Sequence, residues 1–256
     1  MRALRTAASG MAAQQLNVEV ISNNIANMNT VGYKRQRAEF QDLIYQNVER
    51  MGAQSSSQGT VVPTGIQVGL GVKAGSVYRI TDQGTPTQTG SDYDVAIDGD
   101  GAFFKIQDGA GEAYTRDGAF TIDPTGQLVT KSGLPVLGES GPIVIDPARG
   151  PITVADDGNI SQNGVTIGQL GLARFDNLAV LSKEGDGLYR NASNAAPIDA
   201  AGAQVRQGML EGSNVNPLIE ITQLIEISRA YERATKMIEN VTELSRRSVE
   251  RLGRVS

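Results

Sequence analysis

Carboxylates are the side chains in this sequence best placed to do chemistry. Asp98-Gly99-Asp100-Gly101 and Asp156-Asp157-Gly158 each put two acids within three positions. Such spacing serves a calcium loop or a paired-carboxylate hydrolase. Neither stretch has the Glu at the twelfth position or the full ligand spacing of an EF-hand, and Asp-Gly is equally ordinary turn chemistry. The chain has 0 His and 0 Cys. That removes Ser-His-Asp, Cys-His and His-based zinc chemistry, along with disulfides and thiolate ligands. Aromatics are 5% of the residues and Trp is absent, so platforms for stacking a sugar are scarce. Gly69-x-Gly71 lacks the further glycines and the Lys-Ser/Thr of a phosphate loop. The reading is no enzyme, no metal and no cofactor.

A second group of residues is harder to place. "SNNIANMNTVGYKR", residues 22–35, sets Asn23, Asn24, Asn27 and Asn29 among the apolar Ile21, Ile25 and Met28. Asn disfavours helix interiors because its amide competes for nearby backbone groups. Two uses account for the cluster. Asn29 and Gly32 tolerate the left-handed backbone that ends a helix. The amides of Asn23, Asn24 and Asn27 could also bond across a subunit boundary, serving the open carbonyls of a helix end. The basic run Tyr33, Lys34, Arg35 and Arg37 is either a solvated face or a partner for acids such as Glu226 or Glu232 of a neighbour.

The elements that carry these residues are helices at both ends and strands between. Leu4, Ala7, Met11, Gln14, Val18, Ile21, Ile25 and Met28 alternate spacings of 3 and 4, which predicts a coiled-coil seam over 3–28. A short second helix is expected over 35–46 from Phe40, Leu43 and Ile44. Residues 217–252 repeat the seam through Leu224, Ile227, Tyr231, Ala234, Ile238, Val241, Ser245, Ser248 and Leu252, with Asn216 as N-cap and Pro217 at the first helical position. At 1.5 Å per residue that helix is about 54 Å long. A second apolar row, Ile225, Met237 and Leu244, needs another neighbour. Helices with so little else to bury them are expected to take shape only when subunits pack.

From Ile66 the apolar period becomes two, and turn signals recur at Asp117-Gly118, Pro124 to Gly126, Asp157-Gly158 and Asn163-Gly164. The fold class is therefore α+β: terminal helices forming a coiled-coil domain around a central, mostly antiparallel β domain. The expected divisions are 1–46 helical, 47–65 a Gly/Ser/Gln-rich segment, 66–210 β-rich and 211–256 helical. The charge follows the same plan. The net −5 divides into +2 over 1–50, −8 over 51–216 and +1 over 217–256. An acidic middle argues against nucleic acid. The first residues lack the apolar core of a cleaved signal peptide, and no stretch approaches a membrane span.

"SNNIANMNTVGYK" resembles the N-terminal signature of the bacterial flagellar rod and hook family, and "EGSNVNPLIEITQLIEISRAYE" is similar to its closing segment. "DVAIDGDGAFF" and "AYTRDGAFTIDPTGQLVT" are also family-like, so the resemblance covers essentially the whole chain. "KRQRAEFQDLIYQ" followed by "GAQSSSQGTVVPTGIQVGLGV" looks most like the distal-rod class, with Gly52, Gln54, Ser55, Ser56, Gly59 and Pro63 in its inserted segment. The tail, "SRAYERATKMIENVTELSRRSVERLG", looks closer to the proximal-rod class. The resemblance implies a helical homopolymer of the basal body, a stiff periplasm-spanning rod whose helices line a tube. It implies export through the flagellar type III apparatus without a cleaved signal. The implied partners are further copies of the chain, adjacent rod proteins, the hook or hook–rod junction and the ring bushing. The implied subunit interface is Leu4, Met11, Gln14, Val18, Ile21, Asn23, Asn24, Ile25, Asn27, Met28, Asn29, Leu224, Ile227, Tyr231, Ala234, Ile238, Val241 and Leu252.

Overall fold

The computed structural model describes residues 2–49, 66–109, 111–175, 177–192, 196–200 and 202–253. The expected α+β composition is present: two helices flank a mostly antiparallel β region. Helix α1 spans Arg2–Ala26 and helix α2 spans Pro217–Gly253, close to the limits that the apolar spacing predicts. None of the described helices is long and apolar enough to cross a membrane.

The expected second helix over 35–46 does not form. That stretch is extended, as Gln36–Asp42 and Tyr45–Glu49. The period is two: Ala38 is buried between exposed Arg37 and Glu39, and Phe40 is half-buried beside exposed Gln41. The 3,4 spacing of Phe40, Leu43 and Ile44 covers a single turn, too little to nucleate a helix. Gln36–Asp42 pairs with Val72–Arg79, and Tyr45–Glu49 pairs antiparallel with Ile66–Gly69.

The chain divides into two compact units. One comprises 1–25, 36–78 and 217–256, the other 26–35 and 79–216. Residues 66–78, expected with the β-rich middle, thus belong with the helices. Residues 26–35, expected with the helices, belong with the β unit.

The β unit is built on a six-stranded antiparallel sheet. Its order is Leu181–Gly185, Leu188–Asn191, Gly111–Thr115, Ala102–Asp108, Leu172–Arg174 and Ile198–Asp199. Phe103 and Phe104 show why it is covered on both sides, since successive strand side chains point to opposite faces. Phe104 enters the larger core with Ile97, Ile106, Leu128, Val136, Ile145 and Ile160. Phe103 enters a smaller one with Tyr114, Phe175, Leu181 and Tyr189. The turns at Asp157-Gly158 and Asn163-Gly164 join the antiparallel strands Ile152–Val154, Asn159–Gln162 and Val165–Gln169, as expected. Pro124 to Gly126 likewise lies between the paired strands Phe120–Ile122 and Leu128–Thr130.

Asp117-Gly118 behaves differently. The strand before it stays in the six-stranded sheet, while the strand after it pairs elsewhere. It is a corner rather than a hairpin. The Asp117 carboxylate accepts from Ala119 N at 2.9 Å, and a Cβ on Gly118 would sit 1.7 Å from the Val95 carbonyl. The corner is held by packing that local residue types do not reveal.

Candidate functional site: the helical seams and a buried ionic clasp

The predicted seam of α1 is only partly covered. Ile21 is buried, and Leu4, Met11, Gln14, Val18 and Ile25 are half-buried. The most deeply covered residues sit on a neighbouring stripe, Ala13, Val20 and Asn24. Ser9 begins that stripe. Its Oγ accepts from Val72 N at 3.2 Å, and a Cβ on Gly71 would lie 2.3 Å from it. The start of the stripe therefore meets backbone of the same unit. On α2, Leu224, Ile227, Ala234, Ile238 and Val241 are half-buried, whereas Tyr231, Ile225, Met237 and Leu244 are exposed. Leu252 lies in α2, but its side chain is outside the described residues. Gly52, Gln54, Ser55, Ser56, Gly59 and Pro63 are outside them altogether.

Asn24 is a correction to the expected interface. Only 1% of it is exposed, and its bonds lie inside the chain. Its Oδ1 accepts from Gln36 N at 2.9 Å, and its Nδ2 donates to Gln36 O at 2.8 Å and to Glu220 at 3.0 Å. The amide acts as an extra peptide group that fixes the start of the extended segment and ties the end of α1 to the first turn of α2. Buried polar groups satisfied in this way are not available to a neighbour. Asn23, Met28 and Asn29 are exposed, and Asn27 is half-buried and accepts from the Thr30 hydroxyl at 3.3 Å.

Lys34 is the second correction. It is neither solvated nor turned toward an acid of a neighbour. Its Nζ, 7% exposed with the rest of the residue, donates to Glu211 at 2.6 Å and to the Asp82 carbonyl at 2.9 Å. Burial pushes the Lys34 ammonium below its usual pKa, and Glu211 opposes that push. The other Glu211 oxygen accepts from Arg116 Nε at 2.5 Å, and the first also accepts from Gly84 N at 2.9 Å. The remaining Arg116 donors go to the carbonyls of Ala102, Ile97 and Gly99. Glu211 is 1% exposed and Lys34 and Arg116 are buried with it, so all three charges are desolvated and the bonds they make are charge-assisted.

Backbone contacts complete the clasp. Gly32 N donates to Glu211 O at 2.8 Å, and Gly32 has φ +66. A Cβ there would lie 2.7 Å from the Arg116 carbonyl carbon, so only glycine fits. Asn214 accepts from Arg35 N at 2.6 Å and donates to Ile80 O and Asp82 O, both at 2.9 Å. Sequence reasoning named Lys34 but missed Glu211, Arg116 and Asn214. The available signal was the "EGSN" tetrapeptide itself, four small or polar residues just before α2. On the outer side of the clasp, a cleft of about 590 Å³ is lined by Val31, Tyr33, Asp117, Lys183, Leu188 and Tyr189. The Lys183 ammonium stands 4.4 Å over the Tyr33 ring.

Asp98 and Asp157, candidates for acid chemistry, have structural work. Asp98 pairs with Arg206 at 2.6 Å. Asp157 accepts from its own turn at Asn159 N, which holds its carboxyl below the usual range.

Comparison with known proteins draws on the same residues. The profile "Flagella basal body rod protein" matches residues 4–34, ending on Lys34. "Flagellar hook protein FlgE/F/G D1 domain" matches 96–162, and "Flagellar basal body rod FlgEFG protein C-terminal" matches 206–251. The flagellar basal-body rod protein FlgG of Caulobacter vibrioides is 52% identical over 256 residues, covering 95% of this chain and 97% of that one. The chain belongs to the flagellar basal-body rod family. Its likeness within the rod family extends to FlgF of Caulobacter vibrioides, 48% identical with 93% of each chain covered, and to FlgG of Agrobacterium fabrum, 42% identical over 96% and 97%. The two rod-family profiles at the chain ends contain both halves of the clasp, Gly32 to Lys34 and Glu211 to Asn214.

Proposed function

We propose that this chain is a structural, non-enzymatic subunit of the bacterial flagellar rod, of the distal class. Copies polymerise helically into a stiff hollow shaft that transmits torque from motor to hook and leaves a channel for export of later subunits. The terminal helices line the tube as a coiled-coil layer. The unfolded chain leaves through the flagellar type III apparatus. It meets further copies, adjacent rod proteins, the hook or hook–rod junction, and the ring bushing. The seam residues Leu4, Met11, Gln14, Val18, Ile21, Ile25, Leu224, Ile227, Tyr231, Ala234, Ile238, Val241 and Leu252 are the contacts we assign to the assembly. Asn23, Asn27, Met28 and Asn29 join them at the helix end.

The observation that carries this reading is full-length similarity to FlgG together with large apolar side chains on α2 that stay exposed, Ile225 on one side and Met237 and Leu244 on another. On a charged helix about 54 Å long, apolar side chains on two sides suit a helix covered by more than one neighbour. The proximal rod is the second reading, favoured by the 48% identity to FlgF and by the tail. Electron cryomicroscopy of intact basal bodies tests both. The expected density places the chain in the distal shaft with α1 and α2 against the channel. Density near the membrane end of the shaft selects the proximal class. Helices on the outer surface would overturn the polymer as drawn.

A further inference from the structure

Three stretches far apart in sequence meet at Glu211. Lys34 is 177 residues away, Gly84 is 127 and Arg116 is 95. Arg35 reaches Asn214 across 179 residues, and Asn214 reaches Ile80 across 134. The participating segment, 26–35, is part of the β unit although the residues on either side of it belong to the other unit. The β unit is therefore not continuous in sequence. It has to accept a strap from the N-terminal end and fasten it with side chains from the C-terminal end.

Two physical arguments set when that happens. Loop-closure entropy grows with the chain enclosed, so contacts over such separations cost more to form early than the local pairings of the sheet. Ionic contacts also gain full strength only after water has left, because desolvation offsets attraction until the surroundings are dry and the geometry complete. Several pairings of the β unit are joined by short connections. Ala102–Asp108 is followed at once by Gly111–Thr115, and Asn159–Gln162 by Val165–Gln169. Those pairings involve neither end of the chain, whereas Val95–Asp98 pairs with Gln204–Gln207 and Pro86–Gln88 with Met209–Glu211; the strap 30–35 belongs to none of these strands.

We infer that the Lys34–Glu211–Arg116 trio, with Asn214, is a late-closing latch: the β sheets assemble first, and the strap 30–35 fastens after the folding transition state. The latch sets how slowly the β unit reopens and leaves its rate of formation unchanged. This goes beyond the proposed rod role and does not depend on it.

Folding and unfolding rates of the full chain, measured on dilute protein by stopped-flow circular dichroism, test the latch. Lys34→Met should speed unfolding at least roughly tenfold and change refolding by less than about twofold, as for contacts absent from the transition state. Asn214→Ala removes a milder part of the same latch and should show the same one-sided pattern if Lys34→Met fails to fold. Ile106→Val, in the central sheet, should instead slow refolding. The latch is overturned if Lys34→Met or Asn214→Ala slows refolding by the factor its stability falls. It is equally overturned if both leave the two rates unchanged.

Discussion

Tyr114 shows at the scale of one residue how this domain handles ionisable groups. It is buried in the smaller core, edge-on to Phe175 at a centroid distance of 4.9 Å, and its hydroxyl donates to Glu112 at 3.2 Å. Burial first, and the Glu112 charge second, push its pKa from 10.0 to about 12. A folded-state pKa above the unfolded value means that the native state holds its proton longer. The stability this contributes is complete below pH 10 and is lost as pH rises from 10 to about 12. Tyr114→Phe cannot titrate. The stability difference between wild type and Tyr114→Phe should be constant from pH 7 to about 9 and should shrink as pH climbs past 10. Urea denaturation at stepped pH gives that difference directly, and a flat difference up to pH 11 would refute the assignment.

Elements were legible where their pattern was local. The spacing of Leu4 to Met28 and of Leu224 to Leu252 predicted both helices, because a 3,4 repeat sustained over 25 and 29 residues leaves little choice. Turns at Asp157-Gly158 and Asn163-Gly164 followed from residue types that tolerate their backbone, and Asn163 indeed has φ 52. The errors occurred where a distant partner decided the outcome. Gln36 is extended because Asn24 captures both its N–H and its C=O. Lys34 is buried because Glu211, 177 residues on, supplies its counter-charge. No window of neighbouring residues contains either fact. Asn24 is accordingly the residue that holds the element boundary. Asn24→Ala leaves the Gln36 backbone and Glu220 short of partners in a buried place, a loss of about 1–3 kcal/mol. Native-state hydrogen exchange should show the Gln36 amide exchanging faster, together with fraying in the last turn of α1. Unchanged protection at Gln36 would show that the side chain is dispensable there.

At the scale of the whole molecule the two compact units divide the labour. The β unit has a conventional interior with Phe104 and Ile106 fully covered, whereas α2 leaves Leu218, Ile225, Met237 and Leu244 in solvent. Apolar side chains on a helix face gain stability only when something covers them, at about 25 cal/mol per Å². Ile225→Asp combined with Met237→Asp places charges where the proposed polymer buries methylenes. The expected result is loss of rod assembly and motility, with the thermal transition of the β unit unchanged. Normal assembly by the double variant would show that these two positions face no neighbour. A lowered transition of the β unit would assign the two positions to the fold of the single chain.

The strap at residues 30–35 has one more consequence. A pull arriving along the backbone from α1 enters the β unit through Gly32, Lys34 and Arg35. Each is tied to a different point, the Glu211 carbonyl, the Glu211 carboxylate and the Asn214 amide. A pull from that side meets Gly32 first and Arg35 last, so slack at one tie hands the tension to the next. The entry of the chain into its β unit is thus anchored at three successive points rather than hung from one.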